Sequence, residues 1–127
     1  MAYLLDTCTF IWLCSEPNKL SSQAKKIIDE SEILFLSDIS CLEISLKWSN
    51  GKLRLPTAPR IWIEEQKKNW DLNTIAIERE HIYRSSELAP FHKDPFDRLL
   101  IGQALAIGLK ILSPDEHIKA YPVSTAW

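Results

Sequence analysis

Several things are missing from this 127-residue chain, and each absence narrows what it can be. No stretch reaches the roughly 18 uninterrupted apolar residues that a membrane span needs. The apolar opening "MAYLLDTCTFIWLC" has no basic leader, and Asp6 interrupts it. It therefore reads as a buried strand followed by a helix, not as a signal peptide. Cysteine is sparse: Cys8, Cys14 and Cys41 form no C-x-x-C pair, and three thiols cannot all pair within one chain. Buried free thiols in a reducing, cytoplasmic compartment are expected. A formal net charge of −2 gives no global basic signal for nucleic acid, although local patches remain open. There is no internal repeat, low-complexity segment or charged tail, and glycine and proline sit singly between periodic segments.

What remains is ordinary for a soluble globular protein, with 46% hydrophobic and 25% charged residues. Residues 1–127 suffice for a single domain with its own core. "AYLLD" reads as a short buried strand and "TFIWLC" as the helix behind it. Ser21 or Ser22 can cap a helix over "SSQAKKIIDE", where Leu20, Ala24, Ile27 and Ile28 share a face. "EILFLS" is a second strand, followed by a helix from about Ser40 to Trp48 that stops at Asn50-Gly51. "TAPRIWIEEQKKNW" reads as a helix with Thr57 as cap and Pro59 in the first turn. "LNTIAI" is a third strand, "EREHIYRSSELA" an amphipathic helix, and "PFDRLLIGQALAIGL" a buried helix. "KILS" and "YPVST" are a fourth and a fifth strand. The order β-α-α-β-α-α-β-α-α-β-α-β implies an α/β fold of three layers, a short parallel sheet flanked by helices on both faces. In such sheets, ligands sit beyond the carboxyl ends of the strands.

Four acids fall at that edge. Asp6 ends the first strand, Glu43 lies in the first turn after the second, Asp97 opens the long helix near the C-terminus, and Asp115 follows the fourth strand. Each has a local alternative: Asp6 as a cap, Ser40-x-x-Glu43 as a capping box, Asp97 in a first turn already capped by Asp94, Asp115 closing a turn after Pro114. Together they imply more. Carboxylates converging in one cleft repel each other unless a cation sits among them, and Mg²⁺, or Mn²⁺, suits an all-oxygen donor set. Asp94 then reads as the cap and Asp97 as the ligand.

The stretches "YLLDTCTFIWL", "SDISCLEISLKWSNGKLRLP", "HKDPFDRLLIGQA" and "ILSPDEHIKAY" resemble the motifs of PIN-domain ribonucleases. More narrowly, they resemble the VapC-like toxins of type II toxin–antitoxin pairs, and the likeness spans essentially the whole chain. The resemblance implies that Asp6, Glu43 and Asp97 bind the catalytic metal. It makes Asp115 the more variable fourth acid, with Thr7 and Ser113 the small hydroxyl residues beside the site. It also implies a homodimer and a small antitoxin whose tail fills the cleft. Cys8 stands where close relatives often have His, and Leu42 where they often have Trp; neither departure alters a carboxylate.

The expected activity is Mg²⁺-dependent endoribonucleolytic hydrolysis by in-line attack of a metal-activated water, leaving a 5′-phosphate and a 3′-hydroxyl. Lys47, Lys52, Arg54 and Arg98 are the candidate phosphate-binding cations. Lys67 and Lys68 read as a solvated helix face, and Arg98 can instead position an acid. Trp12, Trp48, Trp62, Trp70 and Trp127 read as core or dimer contacts. His81, His92 and His117 show no H-x-x-x-H spacing and are left outside the site. The rival readings are a non-catalytic regulatory domain and a metal-dependent DNA nuclease of the same fold. A phosphatase with Asp6 as nucleophile would need Asp-x-Asp, and Cys8 occupies the second position. A receiver-type domain would want a lysine after a late strand, whereas Lys110 precedes its strand.

Overall fold

A computed structural model describes residues 1–30 and 33–127. Its elements are β1 (Ala2–Leu5), α1 (Thr7–Ser15), α2 (Ser22–Glu30), β2 (Ile33–Ser37), α3 (Asp38–Ser49), α4 (Pro59–Asn69), β3 (Asn73–Ile75), α5 (Arg79–Ser86), α6 (Pro95–Ile107), β4 (Lys110–Leu112), α7 (Glu116–Lys119) and β5 (Thr125–Ala126). A single 3-10 turn, Pro17–Lys19, separates α1 from α2. The predicted order of strands and helices is the observed one. Glu32, at the start of the predicted second strand, lies outside the described residues.

The five strands form one sheet in the order β3-β2-β1-β4-β5, every neighbouring pair parallel. Tyr3 pairs with Leu34 on one side and Lys110 on the other, so β1 is central. Its alternating side chains enter two different cores. Tyr3 and Leu5 join Phe10, Ala24, Leu36 and Trp62, whereas Leu4 joins Leu100, Ile101, Ile111 and Ile118. Strands this short can be apolar throughout because helices cover both faces. Helix α3 serves both cores, with Ile44 in the first and Ile39 in the second.

The chain runs outward from β1 through β2 to β3, then crosses over to β4 and β5. The strand order therefore reverses between β1 and β4, which opens a crevice at their carboxyl ends. Asp6 leaves β1 there, and Ser113 leaves β4.

Local signals were partly displaced. Helix α3 starts at Asp38, not Ser40, because Ser37 Oγ accepts the Ile39 amide at 3.0 Å and caps it. Ser40 is therefore inside the helix, its hydroxyl accepting a 2.9 Å hydrogen bond from Thr7, and the Ser40–Glu43 capping box does not form. Glu43 falls in the second turn. Helix α4 starts at Pro59 as expected, but its cap is Ala58, not Thr57, and no side chain closes it. Ser21 caps α2. β5 is only two residues and shares only Thr125 with the predicted strand. Gly51 and Gly108 end their helices at φ +73° and +82°, a conformation glycine adopts without a Cβ penalty. Among the described residues, no helix is long and apolar enough to cross a membrane. The three cysteines are free, although Cys8 is exposed and Cys14 and Cys41 only partly covered, so none is the fully buried thiol expected.

Candidate metal centre

The site begins with Asp6, which is 4% exposed. Directly after β1, its extended backbone makes it the cap of α1, and Oδ1 accepts the Thr9 amide at 2.8 Å. The capping reading is therefore correct and incomplete. Oδ2 accepts the Ser113 hydroxyl at 2.5 Å, across the gap between β1 and β4. Ser113 Oγ in turn accepts the Asp115 amide at 3.1 Å. Asp115 caps α7 by accepting the His117 amide at 2.8 Å. Thr9 Oγ1 donates to the Leu112 carbonyl, which closes the seam between the two strand ends. A carboxylate with two donors still has lone pairs to spare, so neither bond closes Asp6 to a cation.

Glu43 enters from α3 and is 5% exposed. Lys47, one turn on, donates to Oε2 at 2.6 Å. Its other oxygen, Oε1, is buried and has no hydrogen-bond partner among the described residues. Buried carboxylate oxygens are rarely left this way, because desolvation without compensation costs on the order of 1–3 kcal/mol or more.

Asp97 comes from α6. Asp94 caps that helix, its Oδ1 accepting the Phe96 and Asp97 amides at 2.8 and 3.1 Å. The capping role expected of Asp94 inside "DPFD" is thus observed. Asp97 Oδ2 lies 2.8 Å from His92 Nε2, and the same ring nitrogen is 4.0 Å from Asp115 Oδ2. Asp6, Ser113, Asp115, His92 and Asp97 therefore form one connected set, drawn from β1, the β4–α7 loop, the α5–α6 loop and α6.

The electrostatics carry the mark of unneutralised negative charge. Burial pushes the Asp97 carboxyl up to about 6, opposed by the His92 hydrogen bond and reinforced by the charges of Asp94 and Asp6. Burial also raises Asp6, against the bonds from Ser113 and Thr9, and the Asp115 charge adds to the rise. Although Cys8 as a residue is exposed, its thiol is pushed up to about 11, by partial desolvation first and then by Asp6, Glu43 and Asp97. Thr7, next to Asp6, donates to Ser40, one turn before Glu43, so α1 and α3 are held together where these two acids sit. The donor set is hard oxygen, mutually repulsive and partly unsatisfied, and a hard divalent cation fits it.

The cations fare differently. Lys47 is tied to Glu43, and that hydrogen bond raises its own pKa. Lys52 and Arg54 are exposed after the end of α3, with no ion-pair partner among the described residues. Arg98 is engaged by its own loop, which argues against the phosphate-binding role expected of it. Its guanidinium is used up on the carbonyls of Ser85, Leu88, Ala89 and His92 and on the Tyr121 hydroxyl. Nor does it pair with an acid: it clamps the loop that carries His92. Lys67 pairs with Glu64 on its own helix, as a solvated face would. Of the tryptophans, Trp62 is buried against Phe10 and Trp12 packs edge-on against Trp127, while Trp48 and Trp70 are exposed. His92 is the residue the sequence reading missed. Its signal was there, a histidine five positions before an acid in "HKDPFD", but a search for paired histidines passes over it.

A family model described as PIN domain matches residues 3–123. The chain is a PIN domain. Similar proteins include "Ribonuclease VapC22" of Mycobacterium tuberculosis, 24% identical over 119 residues, covering 93% of this chain and 90% of that one. VapBC of Salmonella typhimurium, bound to DNA, contains a chain that superposes with a TM-score of 0.70 at 18% identity, over 99% of this chain and 97% of that one. VapBC2 of Rickettsia felis, bound to a promoter fragment, gives 0.72 at 15% identity, over 100% and 99%. At these identities the structural likeness concerns the fold, and it extends over this PIN domain from end to end.

Proposed function

We propose that this PIN domain is a Mg²⁺-dependent endoribonuclease, the toxin of a toxin–antitoxin pair, acting in the cytoplasm. The observation that carries the reading is Glu43 Oε1, a buried carboxylate oxygen without a hydrogen-bond partner among the described residues, together with two further acids, Asp6 and Asp97, whose pKa values are raised. A protein has little reason to desolvate three carboxylates together unless a cation joins them. RNA as the substrate class is supported by the curated relative's name, ribonuclease. A small antitoxin partner is supported by a toxin–antitoxin complex from Klebsiella pneumoniae that shares the fold with a TM-score of 0.67. A homodimer and a single catalytic domain over residues 1–127 belong to the same proposal.

In this reading Asp6 and Asp97 ligate the metal directly, Glu43 contributes Oε1, and Asp115 completes the set. Bound Mg²⁺ would supply a water of lowered pKa and neutralise charge building on the phosphate oxygens. The chain's own groups do the rest. Ser113 and the Thr9 amide fix both oxygens of Asp6, so it presents its remaining lone pairs in one orientation. His92 holds Asp97, and Lys47 holds Oε2 of Glu43, which leaves Oε1 as the available atom. Thr7, bonded to Ser40, locks the start of α1 against α3 and so fixes Asp6 relative to Glu43. Lys52 and Arg54 are the cations left to meet the RNA backbone.

The test is incubation of purified protein with total RNA and Mg²⁺, beside an EDTA control and Asp97→Asn, with fragment ends sequenced. Cleavage that yields 5′-phosphates and disappears with chelation or substitution supports the proposal. Cleavage indifferent to both belongs to a contaminant. No cleavage under any condition favours the non-catalytic reading, and cleavage of DNA in preference to RNA favours the DNA nuclease.

A further inference from the structure

Beside the carboxylates lies a donor set of different chemistry. His92, Asp115 and His117 place one ligand atom each within 4.8 Å of one another. His117 Nδ1 is 3.3 Å from Asp115 Oδ1, and His92 Nε2 is 4.0 Å from Asp115 Oδ2. The two imidazoles stack with ring centroids 4.9 Å apart and planes 22° from parallel. Neighbouring donors on a tetrahedral zinc ion stand about 3.3 Å apart, given bonds of about 2.0–2.2 Å. Bringing all three onto one ion takes a closure of up to about 1.5 Å between donor atoms and a rotation of the exposed His117 ring out of the stack, since a ligated ion lies in the plane of each imidazole.

The pieces are held in position. The loop carrying His92 is pinned twice: Arg98 donates to its carbonyl, and Tyr121 Oη accepts the Phe91 and His92 amides while donating to Ala89. Asp115 is oriented by the Ser113 hydroxyl, which accepts its amide. His117 is solvent-accessible on α7, so an ion can reach the site from outside.

We propose that His92, Asp115 and His117 form a second site, selective for a borderline transition-metal ion of the Zn²⁺ class over Mg²⁺. Two imidazole nitrogens and one carboxylate suit Zn²⁺ or Co²⁺, whereas Mg²⁺ demands oxygen and sheds water reluctantly. Three protein ligands leave a fourth position for water. Occupancy has a consequence for the neighbouring acids. An ion at His92 Nε2 replaces the proton that His92 shares with Asp97, and it engages Asp115 as well. The site thus acts as a brake on the carboxylate centre; this consequence rests on the nuclease reading, whereas the binding itself does not.

Co²⁺ is the probe, because its visible absorption separates a four-coordinate site, which absorbs strongly, from a six-coordinate one, which absorbs weakly, without any assay of activity. The full chain is titrated as wild type, His117→Ala and Asp6→Asn, with circular dichroism confirming that each is folded. Wild type and Asp6→Asn should bind Co²⁺ alike, within about twofold, since Asp6 belongs only to the carboxylate centre. His117→Ala should weaken binding by on the order of a hundredfold, as loss of one of three ligands costs at least what loss of a supporting partner does. Zn²⁺ should displace Co²⁺, and millimolar Mg²⁺ should not. Failure of the wild type to bind Co²⁺, or loss in Asp6→Asn with retention in His117→Ala, overturns the site. Where RNA is cleaved, Zn²⁺ added over Mg²⁺ should inhibit the wild type and spare His117→Ala. Equal inhibition of both overturns the brake. If no RNA is cleaved, the nuclease proposal fails while the Co²⁺ result still decides the site.

Discussion

The Ser113 hydroxyl donates to Asp6 Oδ2 at 2.5 Å, joining residues 107 positions apart across the point where the strand order reverses. Neither residue could find the other without the parallel pairing of β1 with β4, in which Leu5 faces Leu112. The bond lowers the Asp6 pKa against the rise that burial imposes.

Ser113→Ala should therefore leave the fold intact and weaken the metal centre. Removing one hydrogen bond to a buried carboxylate costs about 1–3 kcal/mol of stability. Freed of its orienting partner, Asp6 should bind metal about 10–100-fold more weakly. A Mg²⁺ titration of RNA cleavage checks this, with the curve shifting to higher Mg²⁺ and recovering at saturation.

The metal-free protein should be less stable at neutral than at mildly acidic pH on account of Asp97. Its ordinary value of 3.8 rises to about 6 on folding, with burial as the main cause. Between those values the folded state binds the proton that the unfolded chain releases. Stability falls as pH climbs through that window and levels off above it, a loss of about 2–3 kcal/mol. Asp97→Asn should raise the metal-free melting temperature at pH 7 and give no gain near pH 4. Equal effects at both pH values would show that the carboxylate charge is not the cause.

Arg98→Ala should act on stability and not on contact with the RNA backbone. The substitution strands four carbonyls and a tyrosine hydroxyl, and a loss of about 2–4 kcal/mol is expected in urea denaturation. Arg98→Lys should recover little of it, because an ammonium cannot span a planar fork of acceptors. The salt dependence of RNA binding should be unchanged in Arg98→Lys, while Lys52→Ala or Arg54→Ala should each flatten its slope by about one unit.

Gly102→Ala should destabilise the fold although φ there is ordinary. A Cβ at this position would lie 2.7 Å from the His81 carbonyl oxygen and 2.9 Å from the Ser85 amide nitrogen, both backbone atoms of α5. Helices α5 and α6 must separate to admit it, at a cost of about 1–3 kcal/mol. Thermal denaturation measures the loss, and an unchanged melting temperature would mean that α5 can shift freely.

The alternation of short apolar strands with helices, and the placement of Asp6, Glu43, Asp97 and Asp115 just beyond strand ends or near helix starts, were legible in the amino-acid sequence. Both are encoded within a few consecutive residues: periodicity chooses the element, and the element's end locates the acid. Asp94 as the cap and Asp97 as the inward acid followed the same way, from Pro95 at the first helical position. Tertiary structure decided the rest. Ser37 and Ser40 are equally good caps by local chemistry; Thr7, from another helix, takes Ser40, and α3 starts three residues upstream of Ser40's place as cap. Arg98 reads as a phosphate ligand until the loop from 85 to 92 folds over it and offers carbonyls that must be satisfied. His92 joins Asp97 for the same reason, because that loop, pinned by Arg98 and Tyr121, carries its ring to the acid. Polar side chains take whichever partner the packed backbone brings within about 3 Å, and that distance is a property of the folded chain, not of neighbouring letters.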